Sequence, residues 1–183
     1  MPYMDENSQM GVLTLVKATP QDADVVFRLM QLYYFEASAW SDEEIRPDGL
    51  YDCALADVQA RLREESEWTR LIWCDGMLCG FVQLDDVELE AQRLPELADL
   101  FVLPRHRRKG IAATVVERLV QPGTGEWLLA TFRRDKAAHA YWERKLPRMG
   151  MTCRVPLCTG RRGLSSLCDQ CEVGRRKVWL AAR

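Results

Sequence analysis

The chain has 183 residues, 48% of them hydrophobic and 28% charged, with a formal net charge of −2. This is enough apolar chain for one folded domain with its own core, which excludes disordered, collagen-like and fibrous proteins. No run approaches the ~20 apolar residues of a membrane span, and the acidic start MPYMDENSQM lacks the basic and apolar regions of a signal peptide, so a cytoplasmic protein is the expectation.

Residues 1–11 read as a flexible polar leader and 12–183 as a single domain, with no repeat or linker to divide it. GVLTLVKAT suits a first strand. Thr19-Pro20-Gln21-Asp22 then sets a capping hydroxyl, a proline and an acid in the order that opens a helix, and Val25, Leu29, Leu32 and Tyr33 supply its apolar face as far as Ser38. Ser41 to Gly49 is polar and carries Pro47, so it reads as a loop, and LADVQARLREES reads as a second helix. TRLIWC and MLCGFVQL flank Asp75-Gly76, the dipeptide of a tight type I′ turn, and predict an antiparallel hairpin. A charged connection, DDVELEAQRLPE, leads to a third strand, LADLFVL.

After Pro104 come the basic run RHRRKG, a helix from Gly110 to Val120, a Pro-Gly turn, the strand EWLLATF and the helix KAAHAYWERKL. A strand near Met151 to Val155, a Cys- and Arg-rich loop and a last strand at KVWLA complete the chain. The order β-α-α-β-β-β-α-β-α-β-β predicts an α/β (α+β) fold, with helices flanking a sheet of mixed direction.

Charge is divided unevenly along this order. Residues 1–100 hold 7 Lys/Arg and 21 Asp/Glu, whereas residues 101–183 hold 18 and 6. One half favours cations and the other anions. The anion-favouring half contains a strand, a loop with Arg105, His106, Arg107, Arg108 and Lys109, and a helix beginning near Gly110. The first turn of a helix leaves about four N–H groups without internal acceptors, and the helix dipole adds positive potential there. Gly110 carries no Cβ to block a phosphate and Ala112 is small, so the unit is an anion cradle. Neither a P-loop nor a dinucleotide glycine fingerprint is present. A solvated basic loop or a nucleic-acid patch is the alternative.

In residues and context, Arg107-Arg108-Lys109-Gly110-Ile111-Ala112 resembles the R/Q-x-x-G-x-G/A signature of the GNAT superfamily of acyl-CoA-dependent N-acetyltransferases. The resemblance runs from residue 12 to about 147, and YYFEASAW, DGLYD and ADLFVLPRHRRKGIAA look closest to a branch of bacterial predicted acetyltransferases. It implies a GNAT-like acyltransferase fold with a central, mostly antiparallel sheet, and acetyl-CoA as cosubstrate. Backbone groups of Phe101, Val102 and Leu103 would pair with the pantetheine amides. N–H groups from Arg108 through Lys109, Gly110, Ile111 and Ala112 to Ala113 would hold the pyrophosphate, with the side chains of Arg107, Arg108 and Lys109 meeting the remaining phosphate charge. EWLLATF would splay from LADLFVL and open the gap for the thioester.

Transfer to an amine needs a group that takes its proton and a way to neutralise the departing thiolate. Asp99, with Glu96 beside it, is the candidate base, the alternative being a structural carboxylate. The family's N-x-x-A-x-x-F-Y pattern aligns with Asp135 through Trp142, which puts an indole where the thiol-protonating tyrosine normally stands. Indole N–H donates a hydrogen bond but gives up no proton at ordinary pH. Tyr141 is about 100° away around the helix and takes over only if the helix is rotated; water is the other proton source, and His139 reads as a surface histidine. Tyr33 and Trp73 fit core faces, whereas Tyr34, Glu36, Trp40 and Tyr51 are expected to line the acceptor pocket, and the acidic first half favours a cationic amine.

The odd count of seven cysteines without a secretory signal favours reduced thiols. Cys53, Cys74 and Cys79 read as core residues. Cys153, Cys158, Cys168 and Cys171 contain one C-x-x-C pair, too little to assign zinc over reduced thiols, so no metal is expected. The expected function is acetyl transfer from acetyl-CoA to a primary amine, small molecule or protein, by direct attack in a ternary complex. A CoA-binding regulatory module and a nucleic-acid-binding protein are the alternatives. No membrane partner is expected, and a homodimer is left open.

Overall fold

A computed structural model describes residues 11–64, 68–89, 92–132, 134–154 and 176–182. The elements follow the order expected: β1 (Leu13–Lys17), α1 (Ala23–Ala37), α2 (Leu55–Glu64), β2 (Thr69–Cys74), β3 (Met77–Leu89), β4 (Gln92–Val102), α3 (Ile111–Leu119), β5 (Trp127–Phe132), α4 (Lys136–Arg148), β6 (Thr152–Arg154) and β7 (Arg176–Ala182). The Thr19 N–H and hydroxyl donate to the Asp22 carboxylate at 2.8 and 2.7 Å, closing a 3-10 turn that feeds α1. Asp75 and Gly76 have φ of 49° and 75°, the paired left-handed residues of the expected tight turn between β2 and β3.

Two expectations change. The apolar face of α1 is rotated: Ala23, Val26, Leu29, Met30 and Ala37 are buried, while Leu32 is 49% exposed. Leu32 lies about 120° from Val26 around the helix, so the two cannot share one stripe. The charged connection is also not a loop. Residues 85–89 and 92–96 extend β3 and β4 as a long ladder in which Val87 pairs with Leu94 and Glu88 with Arg93. Charges alternate with apolar residues there, so Val87 and Leu94 are buried while Asp86 bonds Arg93 at 2.6 Å on the other face.

The seven strands form one sheet in the order β1-β2-β3-β4-β5-β7-β6, antiparallel throughout except at β4 and β5. Alternation sends successive residues to opposite faces. Leu71, Phe81 and Phe101 join the core under α1 and α2. Ile72, Val82 and Leu97 join the core under α3 and α4. Helix, sheet and helix thus make three layers. Cys53, Cys74 and Cys79 are buried in these cores. Cys153 lies in β6, whereas Cys158, Cys168, Cys171 and leader residues 1–10 fall outside the described residues. Among the described residues no helix is long and apolar enough to cross a membrane.

Candidate active site

The site begins with an irregularity in β4. Gln83 pairs with Asp99 and Leu84 with Leu97, so Ala98 is an extra residue without a partner on β3. Such a bulge bends its strand and raises the local twist. The parallel ladder between β4 and β5 holds only at Glu96–Leu128 and Leu97–Leu129 and stops where the bulge begins. Beyond it the two strands bound a cleft of about 870 Å³, with Leu97 to Val102 on one wall and Ala130 to Phe132 on the other. This is the divergence expected of EWLLATF and LADLFVL.

Two helical stripes complete the cleft. Tyr33, Glu36, Ala37 and Trp40 reach it from the end of α1 and the turn after it, and Ala137, Ala138, Tyr141, Arg144, Lys145 and Arg148 reach it from α4. Both sets recur at intervals of three and four residues, the spacing of a single helix face. Tyr34 falls about 100° off the first stripe. It packs on Tyr33 and Tyr51 and lies outside the cleft lining, as does Tyr51, whose hydroxyl bonds the Ser38 Oγ at 3.3 Å. Of the four residues expected to line an acceptor pocket, the structure therefore brings Glu36 and Trp40 to the cleft. Tyr33, expected in the core, reaches both: it meets Phe81 and Phe101 edge-on and also faces the opening.

At the C-terminal end of β4, the strand-to-helix corner has the backbone an anion requires. Gly110 caps α3 with φ +80°, and Arg108 is left-handed at φ +63°. An arginine in that region is uncommon and sits where the loop must turn sharply. The helical hydrogen bonds start at Thr114 N–H to Gly110 C=O, so the amides of Ile111 to Ala113 are those a helix leaves without an internal acceptor. Arg108, Gly110, Ile111 and Ala112 line the cleft; Lys109 and Ala113 do not.

The backbone expected to meet pantetheine needs correction. Leu103 N–H donates to Cys79 C=O at 2.8 Å, and the Phe101 C=O faces Gly80, so both point towards β3. Alternation leaves Leu100 and Val102 with their polar backbone groups towards the cleft. Of the expected trio, Val102 alone presents its backbone there, and Leu100 is the residue that was missed.

Arg107 is also differently placed from the expectation. Its Nε donates to Val102 C=O at 2.6 Å, and Nη2 donates to both Glu36 carboxylate oxygens at 2.8 and 2.7 Å. The guanidinium sits 5.6 Å from the centre of the Phe101 ring. It therefore ties α1 to the end of β4 and does not extend towards the α3 amides. The other Arg and Lys residues in the cleft lining are Arg108 and, from α4, Arg144, Lys145 and Arg148. These α4 residues were not singled out from the sequence, although their spacing was readable.

Asp99 lines the cleft, half-buried, one residue past the bulge, and alternation puts it on the sheet face of Phe101, under α1. Glu96 does not reach the cleft. It is buried beneath the short parallel ladder opposite Leu128. Tyr141 and Trp142 both line the cleft with ring centres 4.8 Å apart, edge to face. Trp142 is the more deeply buried and belongs to the core under α3 and α4. Burial pushes the Tyr141 phenol up, against a backbone hydrogen bond from Ala113 and the charge of Arg144, which lower it. The phenol is consequently a proton-bearing group at neutral pH. Asp135, at the family's asparagine position, caps α4 by accepting from Ala138 N–H at 2.8 Å. Among the described residues no cluster of His, Cys, Asp and Glu has the arrangement of a metal site.

A model of the acetyltransferase (GNAT) family matches residues 26–146. No curated protein matches the chain by sequence. Solved structures match its fold: an acetyltransferase from Thermus thermophilus at 19% identity, TM-score 0.57, covers 92% of this chain and 97% of its own. A GNAT-family acetyltransferase from Streptococcus agalactiae at 14% identity, TM-score 0.66, covers 97% and 99%. The diaminobutyrate acetyltransferase EctA from Paenibacillus lautus, in complex with its substrate L-2,4-diaminobutyric acid and coenzyme A, covers 94% and 95% at 11% identity and TM-score 0.56.

Proposed function

Because the chain belongs to the acetyltransferase (GNAT) family, we propose that it moves an acetyl group from acetyl-CoA to a primary amine by direct attack within one ternary complex. The observation that carries this reading is the single cleft in which the α3 amides, the diverging β4 and β5, Asp99 and the α1 stripe with Glu36 and Trp40 share one lining. A donor and an acceptor held in the same cleft meet at the strand gap, where proximity replaces a bimolecular encounter. Among the described residues the cleft has no cysteine or serine in its lining, which favours direct transfer over a covalent acyl-enzyme.

Acetyl-CoA supplies the acyl group already activated as a thioester. The Ile111 and Ala112 amides and Arg108 are suited to its diphosphate, and the Leu100 backbone with Val102 N–H to its pantetheine arm. Asp99 takes the proton of the incoming ammonium, directly or through water, and its carboxylate in the cleft lining favours a cationic acceptor. Tyr141, held protonated by burial, is the donor to the departing thiolate, since the Trp142 indole cannot give up its proton. A fold-related enzyme solved in complex with a diamino acid substrate and coenzyme A is consistent with an amine acceptor.

The test is incubation of the full chain with acetyl-CoA and a panel of diamines, amino acids and amine-bearing peptides, with thiol release followed over time. Amine-dependent release is expected. Tight CoA binding with no release from any amine would favour the second reading, a regulatory CoA-binding module, for which Trp142 at the usual acid position is the motivating observation. The nucleic-acid reading loses support from Arg107, whose charge is engaged by Glu36.

A further inference from the structure

We propose that Arg144, Lys145 and Arg148 form a donor-selecting arm that reads the phosphate on the ribose 3′ position of CoA, so that the enzyme discriminates against donors lacking it. This rests on the reading of the cleft as a CoA site. The three side chains follow Tyr141 on one face of α4, at intervals of three, four and seven residues, and line the same cleft as the α3 amides. That stripe climbs about 10 Å along the helix axis, enough to reach a second phosphate group besides the diphosphate.

Charge pairing distinguishes these residues from Arg107, whose guanidinium lines the same cleft but is held by Glu36. Among the described residues Arg144, Lys145 and Arg148 enter no ion pair. Three cations on one helix face repel one another at the spacing of neighbouring turns. A dianion set against that face relieves the repulsion, and two guanidinium groups offer it forked donors. The diphosphate alone does not call for such an arm, because Arg108 and the amides of Ile111 and Ala112 already converge on its corner.

The experiment compares CoA with 3′-dephospho-CoA by isothermal titration calorimetry on the full chain, in wild type and in the variant Arg144→Gln/Lys145→Gln/Arg148→Gln. Hydrogen bonds to charged groups predict that wild type binds CoA at least about tenfold more tightly than 3′-dephospho-CoA. In the variant that ratio should fall to about one to two, with the affinity for 3′-dephospho-CoA nearly unchanged and circular dichroism confirming the fold. Equal affinities in wild type would overturn the proposal and leave the CoA site standing. A tenfold ratio that survives the triple substitution would also overturn it, by locating the selecting group elsewhere. Failure of either ligand to bind wild type would remove the CoA reading and the arm together.

Discussion

The guanidinium of Arg107 connects two parts of the fold that are 71 residues apart in sequence. It holds both oxygens of Glu36 on α1 and the Val102 carbonyl that ends β4. The Arg107 and Glu36 side chains are 40% and 28% exposed, so solvent screening limits the worth of the pair to about 1 kcal/mol. Glu36→Gln, Arg107→Gln and the double variant should therefore show a coupling of that size in urea unfolding. Additivity within ~0.3 kcal/mol would mean the contact contributes nothing. The two proton-handling groups make opposite predictions in pH. Burial raises the Tyr141 phenol above its ordinary range, so it stays protonated through neutral and mildly alkaline pH and its loss of function as an acid is displaced upward from that of a free phenol. Tyr141→Phe should lower kcat by about 10²-fold across that range, and a wild-type kcat would dismiss it as the donor. Asp99→Asn should remove the acidic limb of the kcat/KM profile, whereas an unaltered limb would leave Asp99 a structural carboxylate. The signature glycine and its helix were readable because they are local; the engagement of Arg107 by Glu36 was not, since no short-range pattern reports a pairing set by tertiary packing.

Among the elements, β4 controls the site, and its position is fixed from the side away from the cleft. Gly80 on β3 lies against the Phe101 carbonyl so closely that a Cβ there would come within 1.9 Å of the oxygen. Its φ of +155° adds a backbone that other residues rarely adopt. Both obstacles are main chain, so no side-chain rotation relieves them. Gly80→Ala should cost about 3 kcal/mol or more in denaturant unfolding, as overpacking does where the backbone must shift. It should weaken CoA binding too, because displacing Phe101 displaces Val102. Undiminished stability would show that β3 and β4 separate easily at this point. The strand periods and the Asp75-Gly76 turn were legible in the sequence, whereas the coming apart of β4 and β5 was implied by the family resemblance alone. The bulge at Ala98 that produces the divergence carries no residue signature, and the charged outer ladder hid a period-two alternation behind its acids. The rotated face of α1 is a related case: Leu32 is apolar but falls outside the stripe that the sheet covers.

At the scale of the whole molecule, the sheet separates two cores, and the described cysteines are distributed between them. Cys53 lies under α1 and α2, Cys74 and Cys79 under α3 and α4. Burial pushes the Cys53 and Cys74 thiols up from an ordinary 9.0 to about 11. A raised thiol pKa means that the folded chain keeps its proton where the unfolded chain gives it up. The contribution is complete below pH ~9 and is lost between there and ~11, so stability should fall as pH rises through that window. The same groups report on opening from each side of the sheet. At pH 8 in iodoacetamide, peptide mapping should find Cys53 and Cys74 alkylated far more slowly than in urea, because thiolate and access both require unfolding. If the cleft spans the two cores as one unit, saturating CoA should slow both positions by the same factor, set by linkage to the folded state. Protection of Cys74 alone would show that the α3–α4 layer opens independently of the α1–α2 layer. Alkylation of both at the unfolded rate would mean that neither core closes over its thiol.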